Sequence, residues 1–415
     1  MGALLTGLAA GSLSIWIVLL LFRGGFWRGR ERFVCPPEAQ RERAWPAVAV
    51  CIPARNEADV LPQSLRSVLT QDYAGAFQIV LADDASDDGT GDLARKLAVD
   101  LQAEDRLHVI APPPLPEDWT GKLWALNAAQ GEAERLLPDA KYLWFTDADI
   151  LHDADNLRCL VAKAENEDLD LTSQMVELAC WSFWDRLLIP AFVFFFAKLY
   201  PFRWVNDPTA RTAAAAGGCL LLRRDAFSRA GGLAAVRDRI IDDCAIGLAI
   251  KQRGRPADAL GRAGRIWLGT SGHARSARAY ESLGEIWRMV ARSAYTQLLH
   301  SPWLLAGTLI GMLLIYLVPP IIALTWPLHG VMPAALAALA AWLAMTLALL
   351  PTLRQYRQPL WLALLLPLAA GLYTGMTLDS ARRYYGGRGG SWKGRVQAAV
   401  PGQGAAVRQD PTDPR

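Results

Sequence analysis

The feature that most constrains this chain is the recurrence of long segments without a single charged residue. Each approaches the roughly 20 apolar residues that a helix needs to cross a bilayer. These segments are 3–22, 303–326, 331–351 and 359–378. Hydrophobic residues make up 52% of the chain and charged residues only 20%, which is an apolar composition for a soluble protein. We therefore expect an N-terminal transmembrane anchor within residues 1–24 and two or three further spans within 301–380.

Basic residues set the expected orientation of these segments. Four arginines crowd the end of the first one: Arg23, Arg28, Arg30 and Arg32. The positive-inside rule then places the N-terminus outside and the long middle segment in the cytoplasm. A cleaved signal peptide is the alternative for 3–22, but this segment lacks a basic start and a clear cleavage site. Arginines flank 359–378 on both sides, so that segment either spans or is re-entrant, and the side of the basic, flexible tail expected at 381–415 stays open.

Charge and cysteine usage exclude some functions. The net charge of +3, without basic runs interleaved with aromatic residues, gives no indication of a nucleic-acid partner. The cysteines show no Cys-x-x-Cys spacing and no histidine at metal-ligand intervals. They therefore read as scattered buried thiols in a reducing compartment. They are Cys35, Cys51, Cys159, Cys180, Cys219 and Cys244.

Between residues 45 and 300, strand-like and helix-like patterns alternate. Short apolar runs predict buried strands at 47–52, 77–82, 107–110 and 142–146. Helical spacing separates them at 57–70, 90–100 and 122–135. This alternation predicts βαβ units, and hence an α/β domain with a mostly parallel, Rossmann-like sheet. Ligands of such sheets bind beyond the carboxyl ends of the strands, so polar residues at those ends are the candidates for function.

Three predicted strands end in polar residues. The first continues through Pro53 into Arg55 and Glu57, the second leads into Asp83-Asp84, and the third leads into Asp147-Ala148-Asp149. Each could be a turn or a helix cap, but the fold would bring the acids of successive strands together. Carboxylates one residue apart suit Mg²⁺ or Mn²⁺ shared with a diphosphate, since the cation would neutralise acids that are costly to bury unpaired.

These motifs, in this order, resemble glycosyltransferase family 2, whose catalytic domain has the GT-A fold. The resemblance covers residues 45–300 and rests on ordered segments. These are "IPARNE", "DDASDDGT" with Ala85 where the family usually has Gly, "GKLWALNAA", the DxD pair Asp147 and Asp149, "GGCLLLRRDAFSRAGG" and "IIDDCAIGLAI".

The resemblance implies a role for each matching residue. Asp243 would be the general base, and Asp149 with Asp147 would hold the metal. The residues implied in nucleotide-sugar binding are Pro53, Arg55, Glu57, Asp83, Asp84, Lys122, Asp147 and Arg292. The alternatives are a helix N-cap for Asp242-Asp243, a solvated helix start for Lys122, and a lipid-facing charge for Arg292.

The sequence departs from the family after the expected base. The family often has Gln/Arg-x-x-Arg-Trp, whereas Met289 and Ser293 stand here beside Arg292. The missing Trp argues against a processive polysaccharide synthase and favours a single transfer. The flanking membrane segments, "GRGGSWKGR" and "ARSARAY" resemble the bacterial hopanoid-associated glycosyltransferases, with carotenoid and ceramide glycosyltransferases as relatives.

The resemblance therefore implies a metal-dependent, inverting transferase in the bacterial inner (cytoplasmic) membrane. It would move one sugar from a nucleotide-diphosphate donor, UDP-linked by resemblance, to a membrane lipid such as a hopanoid. The apolar run 187–202 either dips into the membrane interface to admit that lipid or is a buried core helix. Two other classes remain: a degenerate membrane scaffold, which would have lost the key carboxylates, and a nucleotidyltransferase, which would need a glycine-rich basic loop that "ARNEADVL" does not supply.

Overall fold

The computed structural model describes residues 1–256, 264–387, 391–392 and 395–396, and the chain divides into two compact units. The helical unit comprises Met1–Arg30, Cys180–Arg203 and the described residues from Ala279 to Gly387. The α/β unit comprises Glu31–Ala179, Trp204–Arg278 and the described residues from Ser391 onward. These units differ from the boundaries expected from the sequence, because 180–203 and 279–300 group with the long helices rather than with the α/β domain. Most of the expected tail lies outside the described residues.

Eight strands form the sheet of the α/β unit. In chain order they are β1 Val48–Ala54, β2 Phe77–Asp83, β3 Leu107–Ile110, β4 Tyr142–Thr146, β5 Ile150–His152, β6 Leu171–Glu177, β7 Cys219–Arg223 and β8 Ile266–Ser276.

Fifteen α-helices occur in the described residues, those of the α/β unit alternating with its strands. They are α1 Gly2–Phe22, α2 Leu61–Leu69, α3 Thr90–Asp100, α4 Gly121–Leu136, α5 Asn156–Asn166, α6 Phe183–Leu199, α7 Phe202–Asn206, α8 Arg224–Arg229, α9 Asp242–Arg253, α10 Leu283–Ala291, α11 Pro302–Met312, α12 Val318–Leu324, α13 Trp326–His329, α14 Met332–Gln355 and α15 Leu366–Tyr385.

The sheet has the order β3-β2-β1-β4-β7-β6-β8-β5. Its first four strands are parallel, as the alternating pattern predicts. Strand β7 then runs antiparallel to both β4 and β6, which makes the sheet mixed but mostly parallel. Every residue of β1 and β4 is buried, because helices cover both faces of a parallel sheet. The predicted α/β class is confirmed.

This topology positions the candidate site. Strands β2, β1 and β4 are adjacent and parallel, so their carboxyl ends at Asp83, Ala54 and Thr146 open onto one edge of the sheet. Strand β7 pairs with β4 in the opposite direction, with Cys219 opposite Thr146. The two glycines that precede β7 therefore lie beside the residues that follow β4.

The helical unit contains four helices long and apolar enough to cross a membrane. They are Gly2–Phe22, Pro302–Leu324, Met332–Gln355 and Leu360–Tyr385. Their apolar residues face outward for much of their length, as expected for helices whose solvent is lipid. A short π-helix, Leu313–Leu317, joins α11 to α12. The segment expected either to span or to be re-entrant lies in the fourth of these helices.

The run 187–202 lies mostly in α6, which packs within this helical unit. Leu187, Leu188 and Phe194 are at most 3% exposed and belong to its apolar core. Tyr373 donates a hydrogen bond to the carbonyl of Leu188 at 2.9 Å. The core interpretation thus holds for this face of α6, so Phe194 does not present its ring to lipid.

The cysteine prediction is wrong for one pair. Cys35 and Cys159, 124 residues apart in sequence, form a disulfide. The segment 31–35 runs along β8, where the Phe33 N–H donates to the Thr270 carbonyl at 2.7 Å, and this brings Cys35 against α5. Cys51, Cys219 and Cys244 are buried thiols, as predicted.

Candidate active site

The loops after β1 and β2 are joined by hydrogen bonds into one surface. The Asn56 N–H donates to Ser86 Oγ at 3.0 Å, and the Ala58 N–H donates to Asp88 Oδ2 at 2.9 Å. In return the Asp87 N–H donates to Asn56 Oδ1 at 3.0 Å. Because residues 55–60 make these bonds, α2 begins at Leu61 rather than at the predicted residue 57.

The predicted nucleotide-binding side chains lie on this joined surface. Arg55 donates to the Asp84 carbonyl at 2.6 Å and lies 3.5 Å from the Asp84 carboxylate. Asp83 ends β2, and its Oδ1 accepts from the Ser86 N–H at 3.1 Å. Pro53 is buried inside β1, one residue before the strand ends. The structure brings these four residues together.

Two non-glycine residues of these loops have left-handed backbone conformations. The φ angles are +50° at Asn56 and +54° at Ala85. Asparagine tolerates this region, but for alanine it costs roughly 1–2 kcal/mol. Ala85 therefore occupies a strained turn in which glycine, the usual residue of the resembled motif, would be relaxed.

Lys122 links the acids after β4 to the acids that open α9. Its Nζ lies 2.9 Å from Asp147 Oδ1 and 3.4 Å from Asp242 Oδ2. Burial alone would lower the pKa of Lys122, but Asp147 and Asp242 outweigh it and raise that pKa, so the ammonium stays charged. A lysine in the first turn of α4 opposes the helix dipole and is only 23% exposed. The solvated-helix-start interpretation does not fit this position.

Asp243 lies beside this cation at the start of α9. Its Oδ2 accepts a hydrogen bond from the Gly217 N–H at 2.9 Å. A Cβ built on Gly217 would lie 3.5 Å from Asp243 Oδ2 and 3.6 Å from Lys122 Nζ, so the glycine keeps the space between them open. Ile241, rather than Asp242 or Asp243, is the N-cap of α9, and Asp243 Oδ1 accepts from the Cys244 N–H in the first turn at 2.7 Å.

The environment of Asp243 makes it a weaker acid than an ordinary aspartate. Burial, and after it the neighbouring Asp242 charge, raises the pKa of Asp243 to about 6 against the lowering effect of Lys122 and two N–H donors. A carboxylate with this pKa is ionised at neutral pH yet binds a proton more readily than an ordinary aspartate, which is what general base catalysis requires.

Arg278 is a residue of this site that sequence reasoning missed. Its Nη2 donates to Glu57 Oε2 at 2.7 Å and lies 3.3 Å from Asp59. Its Nε is 3.9 Å from Asp149 Oδ2. Burial lowers the pKa of Arg278, while Glu57, Asp59 and Asp149 raise it with a net upward effect. The segment "ARSARAY" contains Arg278, but only the fold reveals that it reaches the DxD pair.

The DxD pair fits a cation that arrives with a diphosphate. Asp147 and Asp149 offer hard carboxylate oxygens, and each already lies near a cationic side chain. In the part of the chain that the structure describes, they form no cluster with a third carboxylate, cysteine or histidine tight enough to enclose an ion. Mg²⁺ characteristically takes one or two carboxylates and completes its shell with substrate phosphates and water. The donor set suits such a shared ion rather than an all-protein cage.

Arg292 differs from the other predicted site residues in its location. It follows α10 and is exposed, in the helical unit. The remaining predicted residues, Lys122, Asp243 and those at the strand ends, all belong to the α/β unit.

The sheet is mixed, and acids stand at the carboxyl ends of its adjacent parallel strands. An antiparallel strand that follows two glycines lies beside these acids. This arrangement is that of a GT-A-type domain. Residues 49–231 match the family described as Glycosyl transferase family 2. This part of the chain is therefore similar to that family, and the four long apolar helices lie outside the matched residues.

One curated relative matches a part of the chain. The chain is 30% identical over 149 residues to the probable glycosyltransferase YdaM of Bacillus subtilis (strain 168), a match that covers 34% of this chain and 32% of the relative. The chain thus spans about a third of that relative's length.

The fold is shared with a solved structure. The mannosyltransferase PcManGT from Pyrobaculum calidifontis, in complex with GDP-Man and Mn²⁺, has a TM-score of 0.51 at 18% identity, covering 91% of this chain and 98% of that one. S. aureus TarS has a TM-score of 0.38 at 15% identity, covering 60% and 40%, which is too low to support an argument.

Proposed function

We propose that this chain is an inverting glycosyltransferase that moves a single sugar from a nucleotide-diphosphate donor to a hydroxyl group of a membrane lipid. One observation carries the proposal: Lys122 joins the DxD acid Asp147 to Asp242, next to Asp243 with its pKa of about 6. Donor-binding acids and a candidate base thereby share one small region of the α/β unit.

The donor side is assigned to the joined surface after β1 and β2. Arg55, Glu57, Asp83 and Asp84 would bind the nucleoside, with Pro53 beneath them. UDP is the first expectation from the family resemblance, while the bound GDP-Man of the PcManGT structure makes GDP-sugars the second. Only the resemblance supports a phosphate contact by Arg292.

The DxD pair would hold the metal. Asp149 and Asp147 would bind Mg²⁺ or Mn²⁺ together with the donor, and the PcManGT structure contains Mn²⁺. When bound there, the ion supplies Lewis-acid stabilisation of the departing diphosphate. Lys122 would add a positive charge close to the same phosphate oxygens.

Asp243 would carry the proton in the transfer. Above a pH of about 6 its carboxylate is ionised and accepts the proton of the acceptor hydroxyl as the oxygen attacks the anomeric carbon. The Gly217 N–H orients Asp243 Oδ2, and because Gly217 has no side chain there is room for the acceptor. One displacement by an activated hydroxyl inverts the anomeric configuration.

The long apolar helices support the proposal of a lipid acceptor. Four helices are long and apolar enough to span a membrane, and a soluble acceptor would gain nothing from them. A hopanoid is the first expectation by resemblance, with a carotenoid or sphingolipid-type lipid as the alternative. The arginines after α1 favour a catalytic domain that faces the cytoplasm of a bacterial inner membrane.

The competing functions have less support. A processive polysaccharide synthase would be expected to have the Trp that Ser293 replaces. A degenerate scaffold would be expected to lose the carboxylates, yet Asp147, Asp149 and Asp243 are all present. A nucleotidyltransferase would use a basic glycine-rich loop after β1, where this chain has residues 55–60 bonded to the next loop.

Incorporation of labelled sugar into lipid tests the proposal. Membranes containing the chain are incubated with radiolabelled UDP- and GDP-sugars and lipid extracts, and the organic phase is counted. Asp243→Asn should lose the label, while Asp238→Asn, the same substitution at a side chain that is 69% exposed, should retain it. Absence of lipid label with every donor, from folded protein, would contradict the proposal.

A further inference from the structure

A second cluster of metal-binding side chains lies in the α/β unit, apart from the DxD pair. The ligand atoms of Cys35, Cys159 and Asp155 all lie within 4.8 Å of one another. Asp155 and Cys159 are four residues apart at the start of α5, so they lie on one helix face. Cys35 approaches from the segment 31–35, which pairs with β8.

Asp155 of this cluster faces His273, whose Nδ1 also lies 3.8 Å from Asp153 Oδ2. Asp155 is the N-cap residue of α5, but its carboxylate makes no capping hydrogen bond. His273 Nδ1 is buried and lacks a hydrogen-bond partner among the described residues, although it lies 3.5 Å from Asp155 Oδ1. A buried ring nitrogen without a partner is costly, so this nitrogen requires an explanation. The nearby Asp153 is already paired with Arg275 at 2.7 Å.

The ligand types of Cys35, Cys159, Asp155 and the adjacent His273 are those of a zinc site. Zn²⁺ binds thiolate, imidazole and carboxylate, with bonds to nitrogen and oxygen of about 2.0 Å. Two such ligands of a tetrahedron then lie about 3.3 Å apart, close to the 3.5 Å between His273 Nδ1 and Asp155 Oδ1. We infer that Cys35, Cys159, Asp155 and His273 form a Zn²⁺ site when the two cysteines are reduced.

The disulfide and the metal are alternative links between the same sulfurs. A phosphine or a dithiol reduces the disulfide to two thiols and is itself oxidised to a phosphine oxide, with oxygen from water, or to a disulfide. Zn²⁺ then displaces the two thiol protons and leaves two zinc–thiolate bonds. Either link ties the segment 31–35, which follows the N-terminal anchor, to α5 and β8. A reducing cytoplasm would favour the metal-bound form.

Cobalt binding to the full-length protein in detergent tests this inference. The protein is reduced with a phosphine, stripped with chelator and titrated with Co²⁺, whose thiolate charge-transfer absorption separates this site from the carboxylates of the DxD pair. Zn²⁺ should then displace Co²⁺ with one equivalent per chain. The variants are Cys35→Ser, Asp155→Asn and His273→Gln, with Cys180→Ser as the matched control at a cysteine outside the cluster.

The expected results follow from the ligand set. Wild type and Cys180→Ser should show the thiolate absorption only after reduction, and Cys35→Ser should lack it. Asp155→Asn and His273→Gln, whose side chains are partly exposed and whose loss the fold should tolerate, should each weaken Zn²⁺ binding at least tenfold. No thiolate absorption in the reduced wild type, or absorption that persists in Cys35→Ser, would overturn the inference. Unchanged affinity in both Asp155→Asn and His273→Gln would also overturn it.

Discussion

Asp243→Asn should abolish most turnover and at the same time stabilise the fold. The pKa of Asp243 rises from its ordinary value of 3.8 to about 6, and each unit corresponds to about 1.4 kcal/mol. The ionised carboxylate therefore costs the folded state up to about 3 kcal/mol. Asparagine removes this charge at nearly the same size, but screening by solvent and the loss of one acceptor oxygen reduce the gain to about 1–2 kcal/mol.

The stabilisation of the fold by Asp243→Asn should depend on pH. Above pH 6 the carboxylate is ionised in both states, so the variant has its full advantage. As the pH falls from about 6 to the ordinary 3.8, the folded state takes up a proton before the unfolded state does, and the advantage shrinks. Below pH 4 both states are neutral, and wild type and variant should unfold alike.

Intrinsic tryptophan fluorescence during heating measures the effect in detergent. At pH 7.5 the unfolding midpoint of Asp243→Asn should lie roughly 2–8 °C above wild type, and turnover should fall by roughly 10²–10⁴. Asp238→Asn should change neither quantity. A midpoint below wild type at pH 7.5, or a gain that persists at pH 4, would refute the assigned environment of Asp243. Retained turnover would refute its role.

Three further predictions concern the surrounding residues. Asp149→Ala should abolish transfer and weaken donor binding in Mn²⁺, measured by isothermal titration with the donor; full activity in excess chelator would remove the metal role. Asp242→Asn should move the acidic limb of the kcat/KM profile to lower pH by up to about 1 unit. Lys122→Met should move the same limb to higher pH. If both variants moved the limb in the same direction, the charge network would be contradicted. Ala85→Gly should raise the thermal midpoint slightly, because relief of roughly 1–2 kcal/mol of strain exceeds the extra unfolded-state entropy of glycine; a lower midpoint would show that the turn is not strained.

The part of the fold that depends on local pattern could be predicted from the sequence. The four predicted strands match β1 to β4 within two residues, because buried parallel strands leave continuous apolar runs. The acids at their ends were predictable for the same reason. The antiparallel placement of β7 between β4 and β6 was not, since pairing between distant segments leaves no periodicity in either one.

The contacts that make the site specific are non-local. Lys122 follows β3 in the chain and Asp242 opens α9, so only the folded sheet places them 3.4 Å apart. Arg278 reaches Glu57 across more than two hundred residues. The burial of Phe194 was equally hidden, because an apolar helix packed among apolar helices has the same composition as one that faces lipid.

The anomeric configuration of the product tests the central claim most directly. In this account Asp243 activates the acceptor hydroxyl for one displacement. Asp147 and Asp242 are paired with Lys122 and form no covalent intermediate with the sugar. An α-linked nucleotide sugar should therefore give only a β-linked lipid glycoside, identified by the proton coupling of its anomeric carbon centre in nuclear magnetic resonance. An α-linked product would mean two displacements or a different attacking group, and would contradict the role assigned to Asp243.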